Sequence, residues 1–360
     1  MSIDTTQRER ADQIPPIPSG LEERGQLPRW AMPGALAASA VVVGVVFAII
    51  GFNVGLWVVL TAVLYAVGLY AWSRAVEGRR KATDRLVTII VSGAFILALI
   101  PLVSVVVTVI GQGIARFDPE FFTSSMRGVV GEGGGAYHAI IGTLIITALA
   151  ALMSIPVGLL TAVYLVEYGK GRLARAITFF VDVMTGIPSI VAGLFAVALF
   201  AIIVGPGARF GFAGSVALSV LMIPVVVRAT EEMLKIVPNE LREASYALGV
   251  TKWRTILKVV IPTSIAGIAS GITLAIARVI GETAPLLVAV GLTTAVNFNP
   301  FDGRMATLPV FSYLSYATPG VPREPYLERA WTAALVLIII VMVLNLLARL
   351  IARVFAPKTR

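Results

Sequence analysis

Residues 86–110 read LVTIIVSGAFILALIPLVSVVVTVI and contain no charged side chain. As a helix, a run of this length extends about 37 Å, which exceeds the roughly 30 Å hydrocarbon core of a bilayer. The run is continuously apolar and does not alternate between apolar and polar residues. It therefore predicts a membrane-spanning helix and not a strand of a membrane barrel.

Seven further apolar runs lie along the chain, two before this one and five after it. Each reaches the roughly 18 residues that a helix needs to cross a bilayer. The runs comprise residues 35–52, 54–72, 139–166, 177–204, 212–230, 259–290 and 330–355. We therefore predict an all-α polytopic membrane protein with about eight transmembrane helices.

The composition of the whole chain supports this class. Of the 360 residues, 58% are hydrophobic and 14% are charged, and the mean hydropathy is +0.90. Soluble domains average about 45–50% apolar and about 25% charged residues, so a soluble enzyme and a disordered chain are excluded. With no cysteine and a single histidine, His138, the sequence predicts no disulfide, no metal site and no catalytic site.

The distribution of basic residues predicts the orientation. Of 29 Lys and Arg residues, 21 fall in the N-terminal tail, the C-terminal end and the loops 73–85, 168–176 and 231–258. Cytoplasmic loops carry the excess of such residues in membrane proteins. Eight spans with both termini in the cytoplasm fit this pattern. The net charge of +9 is then explained by these loops, and no nucleic-acid partner is expected.

Three spans contain proline and glycine irregularities. They are Ser154-Ile155-Pro156, the run Thr185-Gly186-Ile187-Pro188-Ser189, and the run Gly281-Glu282-Thr283-Ala284-Pro285. A broken helix at membrane depth can direct backbone N–H groups at an anion, which makes Ser189 and Thr283 candidate pathway residues. The alternative is that these prolines and glycines only help the helices to pack.

Arg278 lies about twenty residues into the apolar run that begins at Val259. An arginine in a span costs a few kcal/mol on permissive insertion scales, so it needs an acid, a partner helix or a wet path. Glu282 follows four residues later and would share its helix face. Two interpretations are open: a structural Arg–Glu pair, or a fixed positive charge on an anion pathway. Arg228 has two as well, a pathway role or a side chain that snorkels to the headgroups. Asp182 is expected to pair with Arg172, Arg175 or another helix.

The longest basic loop, 231–258, predicts a short helix–turn–helix. Asn239 can cap a helix over 240–248, Gly249 can end it, and a second helix can start at Thr251. No G-x-x-x-x-G-K-[ST] sequence occurs anywhere in the chain, so the chain carries no Walker A phosphate loop. If ATP drives this protein, another chain must hydrolyse it.

The same loop resembles a known family. Its pattern is similar to the EAA motif of bacterial ABC importer permeases, with serine, valine and isoleucine where the family has alanine, isoleucine and leucine. The matching residues are Glu243, Ala244, Ser245 and Gly249, followed after nine residues by Val259, Val260, Ile261 and Pro262. Within that family, the runs 185–194 and 277–287 resemble the phosphate importer permeases, the second being closest to their A-type subunit.

This resemblance implies an organisation and a function. Residues 86–356 would form the six-span permease domain with 231–258 as the loop that couples to an ATPase, preceded by a disordered cytoplasmic tail at 1–33 and an extra hairpin at 34–85. The chain would form half of a phosphate pathway in the inner membrane, in contact with lipids. Its partners would be a second related permease, an ATPase dimer that hydrolyses ATP with Mg²⁺, and an external phosphate-binding protein. Arg278, Glu282, Arg228, Thr283 and Ser189 would line the path.

Two other functions remain open at this point. Sulfate and molybdate importers also require arginines and helix N-termini, and competition between labelled phosphate and sulfate would distinguish them. A secondary anion transporter or channel needs no ATPase, and failure to purify with one would favour it. An intramembrane enzyme is disfavoured, because the spans contain no Ser/His/Asp, metal-ligand or paired-Asp constellation.

Overall fold

The computed structural model describes residues 25–355, and all regular structure in this part of the chain is helical. The predicted disordered tail therefore lies mostly outside the described residues. Up to Val105 the described residues form one compact unit, and from Val106 onward they form a second. Helix α3 contains the boundary.

Unit 1 contains a helical hairpin, α1 (Ala31–Ile50) and α2 (Val54–Val76), and the first part of α3 (Arg79–Gly113). Glu77 follows α2 and holds the base of this unit together. Its carboxylate accepts hydrogen bonds from Leu27 N (2.9 Å), Ser73 Oγ (2.8 Å) and both Nε and Nη2 of Arg85 (2.8 and 2.9 Å). The hydrogen bond from Arg85 is the main reason that the pKa of Glu77 falls to about 2.

Unit 2 contains ten more helices and the end of α3. After the short α4 (Pro119–Thr123), the long elements are α5 (Tyr137–Tyr168), α8 (Gly211–Ile236), α10 (Lys252–Ile280) and α13 (Glu324–Phe355). The shorter ones are α6 (Arg172–Thr185), α7 (Ser189–Ile203), α9 (Asn239–Ala247), α11 (Ala284–Ala289) and α12 (Leu308–Ala317). Helices α5 and α10 each include a π-helical turn, Tyr164–Tyr168 and Ile256–Val260.

Helices α5 and α8 run parallel to each other. Ser215 Oγ donates to Ile146 O at 3.1 Å. Further along both helices, a Cβ on Gly158 would lie 2.6 Å from Val226 Cγ1. Because residue numbers rise together along the two helices, the chain between them must return to the side where α5 began.

The returning segment is α6 followed by α7, which meet at an angle of 109° across Gly186-Ile187-Pro188. A span over 177–204 with an irregularity at residues 185–189 was predicted, and the helix is broken there because the glycine and proline interrupt it. The two helices together nevertheless cross once. Seven helices of the described chain are long and apolar enough to span a membrane, and the broken pair brings the number to the predicted eight.

The predicted span over 259–290 also ends earlier than predicted. The apolar run continues to Val290, but α10 ends at Ile280 and the separate α11 begins at Ala284. In contrast, Pro156 lies inside α5 without a break. Of the three irregular sequences, the structure therefore breaks the helix at two.

Candidate functional site

The loop between α8 and α10, residues 237–251, forms a compact segment that we call the coupling segment. It is shorter than the predicted loop 231–258 because α8 continues to Ile236 and α10 begins at Lys252. Helix α9 starts at Asn239 itself, and Pro238 occupies the N-cap position. The predicted role of Asn239 as the cap is therefore wrong. Gly249 has φ +73°, a left-handed conformation that favours glycine, and it terminates α9 as predicted.

Arg242 anchors the coupling segment to the rest of unit 2. Its Nη2 and Nε donate to Glu167 Oε1 at 2.9 and 3.0 Å, and the same guanidinium donates to the carbonyls of Leu234 (3.0 Å) and Val237 (2.6 Å). The Lys252 ammonium donates to the Glu167 carbonyl as well. Only 12% of the Arg242 side chain and 4% of the Glu167 side chain are exposed. Removing one member of such a buried pair typically costs about 3–5 kcal/mol.

The EAA residues divide between the surface and the interior. Glu243 and Ala244 are exposed on α9, whereas Ser245 is buried and shares a 2.8 Å hydrogen bond with Thr255. Pro262 is half-buried in α10, past its π-helical turn. The first two residues are thus available to another chain, and Ser245 holds α9 against α10.

The outer surface of the coupling segment is also apolar. Leu248 is 83% exposed, Leu241 41% and Tyr246 40%. These side chains lie near Glu243 and Ala244 on one short segment. A patch of apolar residues with charged neighbours is typical of a protein–protein contact.

The two helix breaks are brought close together. A Cβ on Gly193 of α7 would lie 2.6 Å from Pro285 Cα of α11, so the two helices touch through their backbones. Ser189 begins α7 one turn before Gly193, and Thr283 immediately precedes α11. Two of the predicted pathway residues thus flank one contact, and both are partly exposed.

This close contact predicts that one added methyl group destabilises the protein. Gly193→Ala should lower the free energy of unfolding by about 1–3 kcal/mol, because the added Cβ overlaps backbone that no rotamer change can move. Gly93→Ala is the matched control. Gly93 lies inside α3 with nothing within 4 Å of the added atom, and alanine is the better helix former there. Thermal unfolding of the purified chain in detergent measures both, and equal melting temperatures would contradict the close α7–α11 contact.

Arg278 is exposed on the last turns of α10 and forms no ion pair within the described residues. The expected pairing with Glu282 is absent, which corrects the sequence prediction. The i, i+4 argument requires an unbroken helix, but α10 ends at Ile280 and Gly281 leads the chain away. The charge of Arg278 is therefore free to meet something outside this chain.

Arg228 has a different environment. Its guanidinium bonds Asp182 of α6 and donates to Glu231 Oε2 at 2.8 Å, and Lys235 donates to the other Glu231 oxygen at 2.7 Å. The prediction that Asp182 pairs with another helix is confirmed. Two cations and two carboxylates make this cluster neutral. Arg228 therefore connects α6 to α8 and is less suited to bind an anion than Arg278.

Sequence reasoning missed Glu167 and the anchoring role of Arg242. The two residues are 75 positions apart, and Glu167 belongs to no recognisable motif. The described residues hold no group of three or more His, Cys, Asp or Glu side chains that could bind a metal ion.

Comparisons with known proteins agree with this geometry. Residues 154–360 match the family described as "Binding-protein-dependent transport system inner membrane component". The chain is 48% identical over 285 residues to "Phosphate transport system permease protein PstA 1" of Mycobacterium tuberculosis (strain H37Rv), covering 78% of this chain and 91% of that protein. It is 38% identical over 276 residues to "Phosphate transport system permease protein PstA" of Pasteurella multocida, covering 75% and 95%.

A solved structure shares the fold. A chain of a bacterial alginate ABC transporter, crystallised with an alginate-bound periplasmic protein, superposes with a TM-score of 0.52 at 16% identity, over 77% of this chain and 96% of that one. The spans, the family match and the similar relatives lead to one conclusion. The chain is a multi-pass membrane protein that belongs to the family of binding-protein-dependent transport system inner membrane components.

Proposed function

We propose that this chain is the permease subunit of an ATP-driven importer of inorganic phosphate and forms half of its pathway. The 48% identity to a phosphate transport permease over 285 residues carries this proposal. Arginine suits the substrate, because it stays charged and offers forked donors to an oxyanion. An exposed, unpaired Arg278 next to two helix breaks fits such a path.

The partners follow from the same proposal. A second related permease completes the path, an external phosphate-binding protein delivers the ion, and two ATPase subunits hydrolyse ATP with Mg²⁺. The chain itself is a transport subunit without enzymatic activity and binds no cofactor. The apolar surface of Leu241, Tyr246 and Leu248 beside Glu243 supports docking of an ATPase on the coupling segment.

The orientation places the coupling segment in the cytoplasm of a cell with this chain in its plasma (inner) membrane, with both termini on the same side. The excess of basic residues supports this arrangement. The hydrogen bonds from Arg242 to Glu167 join the coupling segment to the end of α5, next to the loop 168–176 that was also predicted to be cytoplasmic. Arg228 lies close to the end of α8 that leads into the coupling segment, whereas Arg278, Glu282 and Thr283 lie at or beyond the far end of α10, so we assign Arg228 to the cytoplasmic side of the path.

Transport by the assembled complex tests the function. The chain is co-purified with the neighbouring permease and ATPase and reconstituted with the external binding protein, and uptake of labelled phosphate is measured with and without ATP. We expect ATP-dependent uptake that excess unlabelled phosphate abolishes and equal sulfate or molybdate leaves unchanged. Competition by sulfate would transfer the proposal to a different oxyanion, and uptake without any ATPase would overturn it.

The N-terminal hairpin is expected to be dispensable for part of the activity. Apart from Ser73 and Arg74 in the last turn of α2, its helices α1 and α2 contain few polar groups besides Ser39, Thr61 and the tyrosines, so nothing along their apolar length suits an anion path. Deleting residues 1–85 should leave measurable ATP-dependent uptake in the assembled complex. Complete loss of uptake with normal membrane levels and normal assembly would instead assign the hairpin a mechanistic role.

A further inference from the structure

Unit 2 contains a cavity of about 260 Å³ at the end opposite the coupling segment. His138 lines it from the first turn of α5, whereas Glu167, which binds Arg242, lies at the other end of the same helix. The 29 residues between them span about 44 Å of helix. One wall of the cavity is apolar, with Met126, Phe311 and Leu314 among its residues.

Arg329 of α13 lines the cavity and is completely buried. Its Nη1 donates to the carbonyls of Gly131 and Gly133 at 2.7 and 2.8 Å, and its guanidinium lies 4.6 Å from the centre of the Tyr326 ring. The Nε and Nη2 donors have no hydrogen-bond partner in the part of the chain that the structure describes. No carboxylate in the described chain lies within the 4 Å of an ion pair with Arg329.

This arrangement leaves a buried guanidinium without an ion-pair partner among the described residues. Removing an ion from water costs several kcal/mol unless a partner compensates it. Arg116, at the same end of unit 2, shows the usual solution: it bonds Asp118 at 3.0 Å and lies 3.5 Å from Glu120. Arg329 has no such carboxylate in contact among the described residues, although Glu328 acts on it electrostatically from beyond ion-pair distance, and the cavity that it lines has room for the missing partner.

Other polar groups on the cavity wall are also unused. His138 is 2% exposed and meets Phe311 edge-on at 5.4 Å, and neither of its ring nitrogens has a hydrogen-bond partner within residues 25–355. Ser315 and Tyr326 also line the cavity, and their hydroxyls form no hydrogen bond with the described residues. Buried polar groups are hydrogen-bonded in the great majority of cases, so the unsatisfied groups of the buried Arg329 and His138 on one cavity indicate a ligand, to which the half-buried Ser315 and Tyr326 add further donors.

The chemistry of the wall selects the ligand. A guanidinium with two free donors, an imidazole and two hydroxyls can all donate to oxygen atoms, and the cavity wall carries no carboxylate that would repel an anion. One water requires roughly 10–15 Å³, so the cavity has room for a tetrahedral oxyanion together with several waters.

We propose that the Arg329 cavity is a binding site for a small tetrahedral oxyanion. Its identification as inorganic phosphate rests on the proposed function. The site lies at the external end of the permease, so phosphate released by the binding protein is held there before it reaches Arg278. Arg329 and Tyr326 bind the oxygen atoms, and the Gly131 and Gly133 carbonyls fix the guanidinium.

Direct binding to the complete complex tests this site. The complex is placed in nanodiscs without ATP and without the binding protein, and equilibrium binding of ³²P-phosphate is measured at constant ionic strength. Arg329→Gln should weaken binding at least tenfold, and Arg329→Lys should weaken it less because the charge remains. Arg127→Gln is the control, since Arg127 is an exposed cation at the same end that does not line the cavity. It should leave binding unchanged.

A second set of variants keeps Arg329 and tests the site even if Arg329→Gln misfolds. Tyr326→Phe keeps the ring under the guanidinium and removes only the hydroxyl, and Ser315→Ala removes another donor. The double variant should also weaken phosphate binding at an unchanged melting temperature. Equal binding in parent and double variant, or equal losses in Arg127→Gln and Arg329→Gln, would overturn the site and leave it filled by water.

The outcome separates this inference from the proposed function. Gly249 lies at the other end of unit 2, so the variant Gly249→Pro should keep phosphate binding while it loses uptake. Phosphate uptake without any binding that depends on Arg329 would remove the site and leave the function intact. Binding of sulfate in place of phosphate, together with sulfate uptake, would overturn the function and keep an oxyanion site.

Discussion

Gly249→Pro and Glu243→Lys are expected to uncouple the assembled transporter. Proline fixes φ near −65°, whereas Gly249 has φ +73° and its N–H donates to Tyr246 O at 2.9 Å. The substitution therefore breaks the end of α9 and moves Leu248, the most exposed large apolar side chain of the coupling segment. Glu243→Lys leaves the helix intact and reverses a charge on the surface that we assign to the ATPase contact.

Gly249→Pro and Glu243→Lys alter the coupling segment in different ways, but we expect both to lose coupled phosphate uptake. In both, the chain still inserts, and phosphate uptake falls at least tenfold, which corresponds to about 1.4 kcal/mol of lost coupling. The ATPase either binds weakly or hydrolyses ATP without transport. The measurements are co-purification of the ATPase, ATP hydrolysis and labelled uptake in the same proteoliposomes.

Gly207→Pro is the matched control for backbone strain. Gly207 has φ +78°, is exposed, and lies in the α7–α8 loop, away from the coupling segment. The substitution Gly207→Pro introduces a comparable conflict in the backbone angle φ at the opposite end of unit 2. Normal uptake in both Gly249→Pro and Glu243→Lys would remove the basis for assigning the coupling segment. An equal loss in Gly207→Pro would show general damage to the fold.

The spans could be predicted because hydrophobicity is local and each run reaches the roughly 18 residues that a helix needs to cross a bilayer. The breaks could not be predicted with the same certainty, since proline alone does not decide them. Pro156 remains inside α5, whereas Pro188 lies within the 109° bend between α6 and α7. The second case also has Gly186 before the bend, and it has Gly193 one turn after α7 begins, where the backbone of α11 packs. Packing that is remote in sequence thus accompanies the break.

The candidate site was predicted in part for the same reason. The EAA pattern locates the coupling segment, but only the helix register shows that Glu243 points outward and Ser245 inward. The pair of Arg242 and Glu167 joins residues 75 positions apart. Arg329 precedes the predicted span that begins at Ala330, so the sequence placed it in an external loop. The structure buries it within α13.

Arg278→Gln is expected to give the largest loss among the pathway residues. Arg278 is exposed, lacks an acid partner in the described chain, and follows Leu274, which is 65% exposed one turn earlier. An arginine placed deep in an apolar run is costly, and a compensating anion or a wet path explains why it stands there. Lysine keeps the charge but loses the fork, and glutamine loses the charge as well. Uptake should fall in the order Arg, Lys, Gln, with Gln reduced by roughly tenfold to a hundredfold, about 1.4–2.7 kcal/mol.

Variants of the other charged pathway residues give further expected results. Glu282→Gln should reduce uptake less than Arg278→Gln, because no bond in the structure makes Glu282 hold the arginine and its negative charge would repel phosphate. Arg228→Gln should act chiefly on stability, since it leaves Asp182 and Glu231 without their shared cation. Arg80→Gln, an exposed cation in unit 1, is the control for net charge.

Assembly and melting temperature are measured for every variant, which separates a transport defect from misfolding. A defective but correctly assembled Arg278→Gln complex that keeps ATP hydrolysis locates the loss in the path. Arg278→Lys must then lie between the parent and Gln, because a purely structural arginine would not respond in order of charge and donor geometry. If Arg278→Gln assembles normally and imports phosphate at the parental rate, Arg278 is a structural residue. The anion must then pass through other groups, of which the free donors of Arg329 would be the first to examine.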